Sequence, residues 1–211
     1  MLLAFDTATP QVTVALLEEG QVLAETVSDR TMKHGEQLAP LIEEVLRDAG
    51  ASRLDVTAVA VGAGPGPFTG LRVGLVTART LGHVLEIPVY AVCTLDVLAL
   101  EAAAEGLTGP FVVATDARRK EVYLASYDTD GRRLEGPAVA RPAEVATTVP
   151  VVGEGARLYP DAFPNAVEPM RPSAGWLARA VAEEQVELLD PEPLYLRRPD
   201  AVEQHPAKPV S

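Results

Sequence analysis

Short runs of apolar and alternating residues open the chain, and they predict strands before the first helix. Residues 2–5, 12–17 and 22–27 form such runs and are separated by turn residues, a pattern typical of strands joined by hairpins. Apolar residues then recur three and four positions apart over residues 36–49, which predicts an amphipathic helix that ends at Gly50. The opening of the chain is therefore predicted to be a three-stranded antiparallel unit followed by a helix.

The pattern of apolar and polar positions predicts further strands and helices and then repeats the opening of the chain. It predicts alternating strands and helices at residues 57–61, 71–86, 87–92 and 95–104. Residues 111–134 return to the opening pattern, and an alignment of the two segments places Asp6 on Asp116 and Val12 on Val122. Repetition at an offset of about half the chain favours two lobes built from one supersecondary unit, with chance similarity between two hairpins as the alternative.

The predicted fold is α/β with two lobes, residues 1–107 and residues 108–211. The second lobe is predicted to be the smaller one, because its periodic segments are shorter: a helix near Ala143, a strand at residues 151–153 and a helix that Ser173 caps. The proline-rich stretch from residue 190 onwards is predicted to be irregular.

A glycine- and proline-rich segment, GAGPGPFTGLRVG at residues 62–74, joins a predicted strand to a predicted helix. Such a turn can hold an anion at the helix N-terminus, but Pro65 and Pro67 remove two N–H donors. The segment also matches neither the dinucleotide motif nor the P-loop. A rigid elbow before a phosphate cradle and a tight connection without a ligand both stay open. The residues singled out in this loop are Gly64, Pro65, Gly66, Thr69 as the helix cap, Gly70 and Arg72.

Two aspartates end the first strands of the two repeated units. Asp6 and Asp116 are placed as in ATPases that hold a metal nucleotide between two lobes, which makes them candidates for nucleotide binding. Such sites need glycines beside the aspartate so that backbone amides can approach phosphate, and neither aspartate is followed by one. Each could instead accept hydrogen bonds from its own turn.

Composition narrows the function classes. The net charge of −12 in 211 residues argues against independent binding to nucleic acid, and the short basic clusters at residues 118–120 and 197–198 are the local exceptions. No apolar run reaches a membrane span and no leader is visible, so no membrane partner and a cytoplasmic location are expected. The single cysteine, Cys93, lies in an apolar run and is expected in the core.

Histidines are few and far apart in the sequence. His34, His83 and His205 do not form a pair with metal-ligand spacing. His34 precedes a predicted helix and is expected to cap it or to donate or accept a hydrogen bond. We therefore expect no metal site and no pairing of a nucleophile with a base.

The predicted helix at residues 71–86 carries apolar residues on two sides. One side, with Leu71, Leu75 and Ala78, is expected to face the sheet. The other side must be covered by the preceding helix or by another protein, and both interpretations stay open. The residues that would form a partner interface are Leu38, Leu41, Ile42 and Val45 of the first helix, with Val73, Val76, Thr80 and Val84 of the second.

Several short motifs are similar to those of one protein family. They are FDTAT at residues 5–9, His34 followed by Leu38 and Pro40, GPGPFTGLRVG at 64–74, DARRKEVY at 116–123 and LYLRR at 194–198. With these motifs the chain resembles the bacterial TsaB family, formerly called YeaZ. The resemblance is dense over roughly the first hundred residues and looser in the second lobe.

The resemblance implies a two-lobed fold of the actin, sugar kinase and Hsp70 type with a shortened second lobe. It also implies a role in the machinery that installs threonylcarbamoyl on the tRNA adenosine beside the anticodon. There, a TsaD-like subunit holds the metal and performs the transfer, a TsaE-like subunit is a small ATPase, and the TsaB-like subunit supports the TsaD-like one through helices of its first lobe. ATP and metal are thus expected on partner subunits, with no cofactor on this chain and tRNA contacted only through the complex.

The leading hypothesis is a non-catalytic scaffold that activates a TsaD-like subunit, with a homodimer of the isolated chain as a further state. The positions of the two metal-binding histidines of TsaD read Thr94 and Leu98 here, so the transferase metal site is not expected. Pro67 stands where the TsaB family usually has serine. The alternative is an autonomous ATP-dependent kinase or ATPase that uses Asp6 and Asp116 around magnesium, and a metallohydrolase is a third hypothesis.

Overall fold

The computed structural model describes residues 1–28 and 33–197, and its first five strands form one sheet. The antiparallel hairpin strands β1 to β3 precede two strands parallel to β1. The sheet order is β3-β2-β1-β4-β5. The strands are β1 (Leu2–Asp6), β2 (Thr13–Glu18), β3 (Gln21–Val27), β4 (Ala58–Gly64) and β5 (Val89–Cys93).

The second sheet repeats the connectivity of the first. Its order is β10-β9-β6-β7-β8, with β6 to β8 antiparallel and β9 and β10 running parallel to β6. Asp6 ends β1 opposite Thr13, and Asp116 ends β6 opposite Val122. The predicted internal repeat and two-lobed α/β fold are therefore confirmed. The strands are β6 (Phe111–Asp116), β7 (Val122–Tyr127), β8 (Arg133–Ala140), β9 (Val151–Val152) and β10 (Ala166–Val167).

The helices show that the second lobe is shortened, as predicted. Where the first lobe has the long α1 and α2, the second has a 3-10 turn near Ala143 and the short α4. None of the helices in the described part of the chain is long and apolar enough to cross a bilayer. The helices are α1 (His34–Asp48), α2 (Phe68–Leu85), α3 (Thr94–Ala104), α4 (Glu154–Leu158) and α5 (Ala174–Ala182).

The connection before α2 is shorter than the sequence predicted. Strand β4 continues to Gly64, whose φ of 96° turns the chain at a position that favours glycine. The helix then begins at Phe68, directly after Pro67. The prediction of Thr69 as the cap is therefore wrong, because Thr69, Gly70 and Arg72 already lie inside α2.

The last helix of each half packs against the other half, and α3 also contacts the core of the first sheet through Val97. Leu98 and Ala102 of α3 lie with Phe111 in the core of the second lobe. Leu177 of α5 lies with Ala4 against the first sheet. The predicted cap of α5 is confirmed, because Ser173 Oγ accepts a hydrogen bond from the Trp176 amide at 3.1 Å. Its predicted place in the second lobe is wrong, since α5 covers the first sheet.

Candidate functional site

The end of β1 buries a carboxylate whose two oxygens are both used inside the protein. Asp6 is 1% exposed, its Oδ1 accepts a hydrogen bond from the Ala8 amide at 2.6 Å, and its Oδ2 accepts one from Thr94 Oγ1 at 2.7 Å. Burial raises the pKa of Asp6, and the hydrogen bonds from Thr94 and Ala8 oppose that rise. A Cβ at Gly62 would overlap this carboxylate, so the neighbouring strand has to carry glycine here.

The equivalent aspartate of the second lobe is also held by its own turn. The Arg118 amide donates to Asp116 Oδ1 at 2.8 Å, and the Arg118 guanidinium pairs with Oδ2 at 3.2 Å. The turn runs through Arg118, Arg119 and Lys120 with φ values of 60°, 54° and 61°. Both aspartates therefore accept a hydrogen bond from the amide two residues on, and the interpretation that each serves its own turn is confirmed.

The glycine- and proline-rich segment packs directly on the turn after Asp6. Thr7 Oγ1 donates to the Gly70 carbonyl at 2.8 Å. A Cβ at Gly66 would overlap the Ala8 carbonyl, and a Cβ at Gly70 would overlap that of Thr7. These glycines thus permit close approach of backbone to backbone. These contacts favour a tight connection, and the phosphate cradle stays a prediction.

His34, at the start of α1, covers the turn after β1 opposite the glycine- and proline-rich segment. It is buried as the first residue of α1, and its Nε2 lies 2.7 Å from the Thr9 carbonyl oxygen. The prediction that it forms a hydrogen bond is confirmed. With Thr9 and Thr7 buried as well, the turn that follows β1 is covered by protein on several sides.

Thr94 and Leu98, where the resemblance implied that a transferase would carry its histidines, serve structure here. Thr94 donates to Asp6, and Leu98 is fully buried in the core of the second lobe. Burial raises the pKa of the Cys93 thiol to about 12, so it stays protonated and inert. Within residues 1–28 and 33–197, no group of three or more His, Cys, Asp or Glu side chains is arranged to hold a metal ion. His205 lies outside the described residues.

The predicted interface residues separate into three sets by burial. Leu38 and Val45 are 2% and 1% exposed and belong to the core of the first lobe. Their assignment as contact residues is corrected, because a side chain with no accessible surface cannot touch a partner. Leu41, Ile42 and Val73 are partly buried against that core. Val76 and Val84 are 61% and 69% exposed, and Thr80 between them is exposed too.

Sequence reasoning missed an aromatic cluster at the start of α2. The rings of Phe68 and Tyr195 stack with centroids 5.3 Å apart, and the Arg72 guanidinium lies 3.8 Å from the Phe68 centroid. The two rings come from distant parts of the chain, so no local pattern reveals their contact. Their position in two separate family-like motifs was the only signal that could have pointed to them.

The chain is similar in sequence to one family model and to several known proteins. A model of the TsaD family, described as tRNA N6-adenosine threonylcarbamoyltransferase, matches residues 21–175. An uncharacterized protein of Mycobacterium tuberculosis is 46% identical over 208 residues, which cover 95% of this chain and 93% of that protein. The Escherichia coli tRNA threonylcarbamoyladenosine biosynthesis protein TsaB is 34% identical over 172 residues, which cover 76% of this chain and 74% of that protein.

Solved structures agree with the sequence relatives. YeaZ from Pseudomonas aeruginosa superposes with a TM-score of 0.77 at 32% identity, covering 92% of this chain and 99% of that one. A Pseudomonas aeruginosa protein described as similar to the peptidase YeaZ gives a TM-score of 0.79, also at 32% identity, with 93% and 99% covered. These matches extend over both lobes. The chain therefore belongs to the TsaB (YeaZ) family.

Proposed function

We propose that this chain is a non-catalytic, activating subunit of the machinery that makes threonylcarbamoyladenosine in tRNA. It pairs with a TsaD-like transferase through α2 and the neighbouring part of α1. The pathway is supported by the names of the TsaB relatives. The kind of partner is supported by the match to the TsaD family model, since this chain and a TsaD chain are then related and can present equivalent helices to each other.

The observation that carries the proposal is the exposed apolar side of α2. Val76 and Val84 are two helical turns apart on one face and are 61% and 69% exposed. Leu71, Leu75 and Ala78 on the opposite face are buried against the sheet. The helix is thus anchored on its inner side and free to be covered on its outer side. Burying a valine contributes roughly 1.5–3 kcal/mol, so a few such contacts offset part of the cost of association.

The non-catalytic part of the proposal is supported by the surroundings of Asp6. Both its oxygens accept hydrogen bonds from the protein, and the Thr7–Thr9 turn beside it is covered by α1 and α2. The transfer chemistry is accordingly assigned to the TsaD-like subunit, and ATP turnover to a TsaE-like subunit. Contact with tRNA is made through the complex, because the chain carries a net charge of −12.

The pairing is tested by mixing the purified chain with its TsaD-like subunit and measuring the mass of the complex and its Kd. The variant Val76→Asp places a charge at the centre of the proposed contact and is expected to abolish binding. Because Val76 is exposed, its unfolding free energy should change by less than about 1 kcal/mol.

A matched control is Leu158→Asp, which changes an apolar residue, 52% exposed, on α4 of the second lobe. This variant is expected to bind like the wild type. Equal loss of binding in both variants, or unfolding of Val76→Asp, would contradict the proposed surface.

A further inference from the structure

The C-terminal strap, defined here as residues 187–197, crosses the first lobe through its middle part and passes the start of α2. Its Leu189 forms a two-way backbone bridge with Ala91 of β5, with N···O distances of 2.8 and 3.2 Å. Further on, the Leu194 amide donates to the carbonyl of Ala63 in β4 at 2.9 Å. These bonds fix the strap along the first lobe at the end of the sheet where α2 begins.

Both ends of the strap are tied to the second lobe. Glu187 pairs with Arg133 of β8 at 3.1 Å. Arg197 Nη1 donates to the Ala117 carbonyl at 2.9 Å, and its guanidinium also pairs with Glu121. The backbone around Tyr195 is therefore held between a hydrogen bond at Leu194 and an ion pair at Arg197.

Tyr195 extends the exposed face of α2 at its N-terminal end. Its ring is 39% exposed and stacks on Phe68, which is 40% exposed. Arg72 lies over Phe68, and next to them a shallow groove opens between the starts of α1 and α2, lined by Gly35, Val73 and Val76. Tyrosine, phenylalanine and arginine are the residue types enriched at the cores of protein interfaces.

We infer that Tyr195 is a partner-contacting residue, so that the docking surface is a composite of α2 and the C-terminal strap covered by the TsaD-like subunit. This inference rests on the pairing proposed above. A stable interface needs roughly 20–30 residues per side, far more than the outward positions of α2 supply. The strap is the neighbouring element that continues the same apolar surface.

The anchoring of the strap makes Tyr195 suited to this contact. An aromatic ring that is already fixed by stacking and by backbone hydrogen bonds loses little conformational entropy when a partner covers it. The partially exposed Phe68 and Tyr195 rings together present apolar area beside a cation, which is the composition of a binding hot spot. Phe68 and Val76 both line the groove, and Tyr195 stacks on Phe68, so one partner can cover all three.

The test compares Tyr195→Ala and Tyr195→Phe with the wild type in titrations against the purified TsaD-like subunit. Tyr195→Ala should weaken Kd at least about tenfold, while Tyr195→Phe keeps the ring and should bind like the wild type. Leu158→Ala, which shortens an exposed apolar side chain on the second lobe, is the matched control and should bind normally. Melting temperatures of all variants are measured alongside.

Each other outcome has a defined meaning. Normal binding by Tyr195→Ala, with loss of binding by Val76→Asp, overturns the role of Tyr195 and leaves the proposed pairing intact. Failure of the wild type to bind overturns the proposed function and this inference with it. If Tyr195→Ala binds more weakly and also melts at a lower temperature, the Tyr195 ring stabilises the monomer, and the inference is overturned. Loss of self-association alone identifies a second copy as the occupant and overturns it too.

Discussion

Replacement of Gly70 by alanine tests whether the glycine-rich connection is packed on the turn after Asp6. The added Cβ would lie well inside 3.0 Å of the Thr7 carbonyl oxygen, a separation that real Cβ atoms essentially never show. The obstacle is backbone, so relief requires movement of the Thr7 turn or of the first turn of α2. Such movement also strains the 2.8 Å hydrogen bond from Thr7 Oγ1 to the Gly70 carbonyl.

The size of the effect follows from three contributions. Forced overpacking of a close contact costs about 1–3 kcal/mol, and loss of a buried hydrogen bond costs about 0.5–1.5 kcal/mol. Alanine in a helix returns roughly 1 kcal/mol relative to glycine. We therefore expect Gly70→Ala to lower the unfolding free energy by about 2 kcal/mol, which corresponds to roughly 4–8 °C in Tm for a chain of this size.

Gly35→Ala provides a matched control, because it makes the same change in the first turn of a helix with space around it. Its Cβ would lie 3.9 Å from Val73 Cγ2, an ordinary van der Waals distance. This variant should be stabilised by about 0.5–1 kcal/mol. Urea unfolding followed by circular dichroism measures both variants. A Gly70→Ala protein as stable as the wild type would show that the connection is not packed on Thr7, and would favour the phosphate cradle.

Three further substitutions probe buried groups. Burial, and after it the neighbouring carboxylates, raises the pKa of Glu101 to about 8. The folded state therefore holds this proton more tightly than the unfolded state, and it loses stability as pH rises from about 4.5 through 8. After allowance for the partial exposure of Glu101, the Glu101→Gln variant should be about 1 kcal/mol more stable than the wild type at pH 9 and equal to it near pH 4, as measured by urea unfolding. Thr94→Val removes the hydroxyl that donates to Asp6 and should lower the free energy of unfolding by about 1.5–3 kcal/mol in the same assay. An unchanged free energy of unfolding would show that Thr94 does not hold Asp6. Leu38→Ala should lower the free energy of unfolding by about 2–5 kcal/mol in thermal melting, whereas Val84→Ala at an exposed position should lower it by less than about 0.5 kcal/mol. Equal effects would show that Leu38 is not a core residue.

The sequence predicted the repeated strands well because alternation is a local signal. The hairpins after Asp6 and Asp116 could be aligned with each other, and their strands pair in the same order in both sheets. The start of α2 was harder, since Gly64 both ends β4 and turns the chain. Glycine permits many backbone angles, so its place in a strand, turn or helix is not encoded by the residue alone.

Long-range contacts account for what the sequence did not predict. Thr94 and Asp6 are joined by a hydrogen bond across 88 positions, and no short motif reports such a pair. An apolar stripe shows that a helix is covered on one side but not by which sheet, which is why α5 was placed in the wrong lobe. The same limit explains Leu38 and Val45, whose spacing suits a core position and a partner contact equally.

The most direct measurement is threonylcarbamoyl transfer to tRNA, assayed with this chain alone, with the TsaD-like and TsaE-like subunits alone, and with all three together. We expect no transfer by this chain alone, little by the other two subunits, and full activity when the wild-type chain is added but not when Val76→Asp is added. Transfer or rapid ATP hydrolysis by this chain alone, abolished in Asp6→Asn, would show that the chain is itself the enzyme.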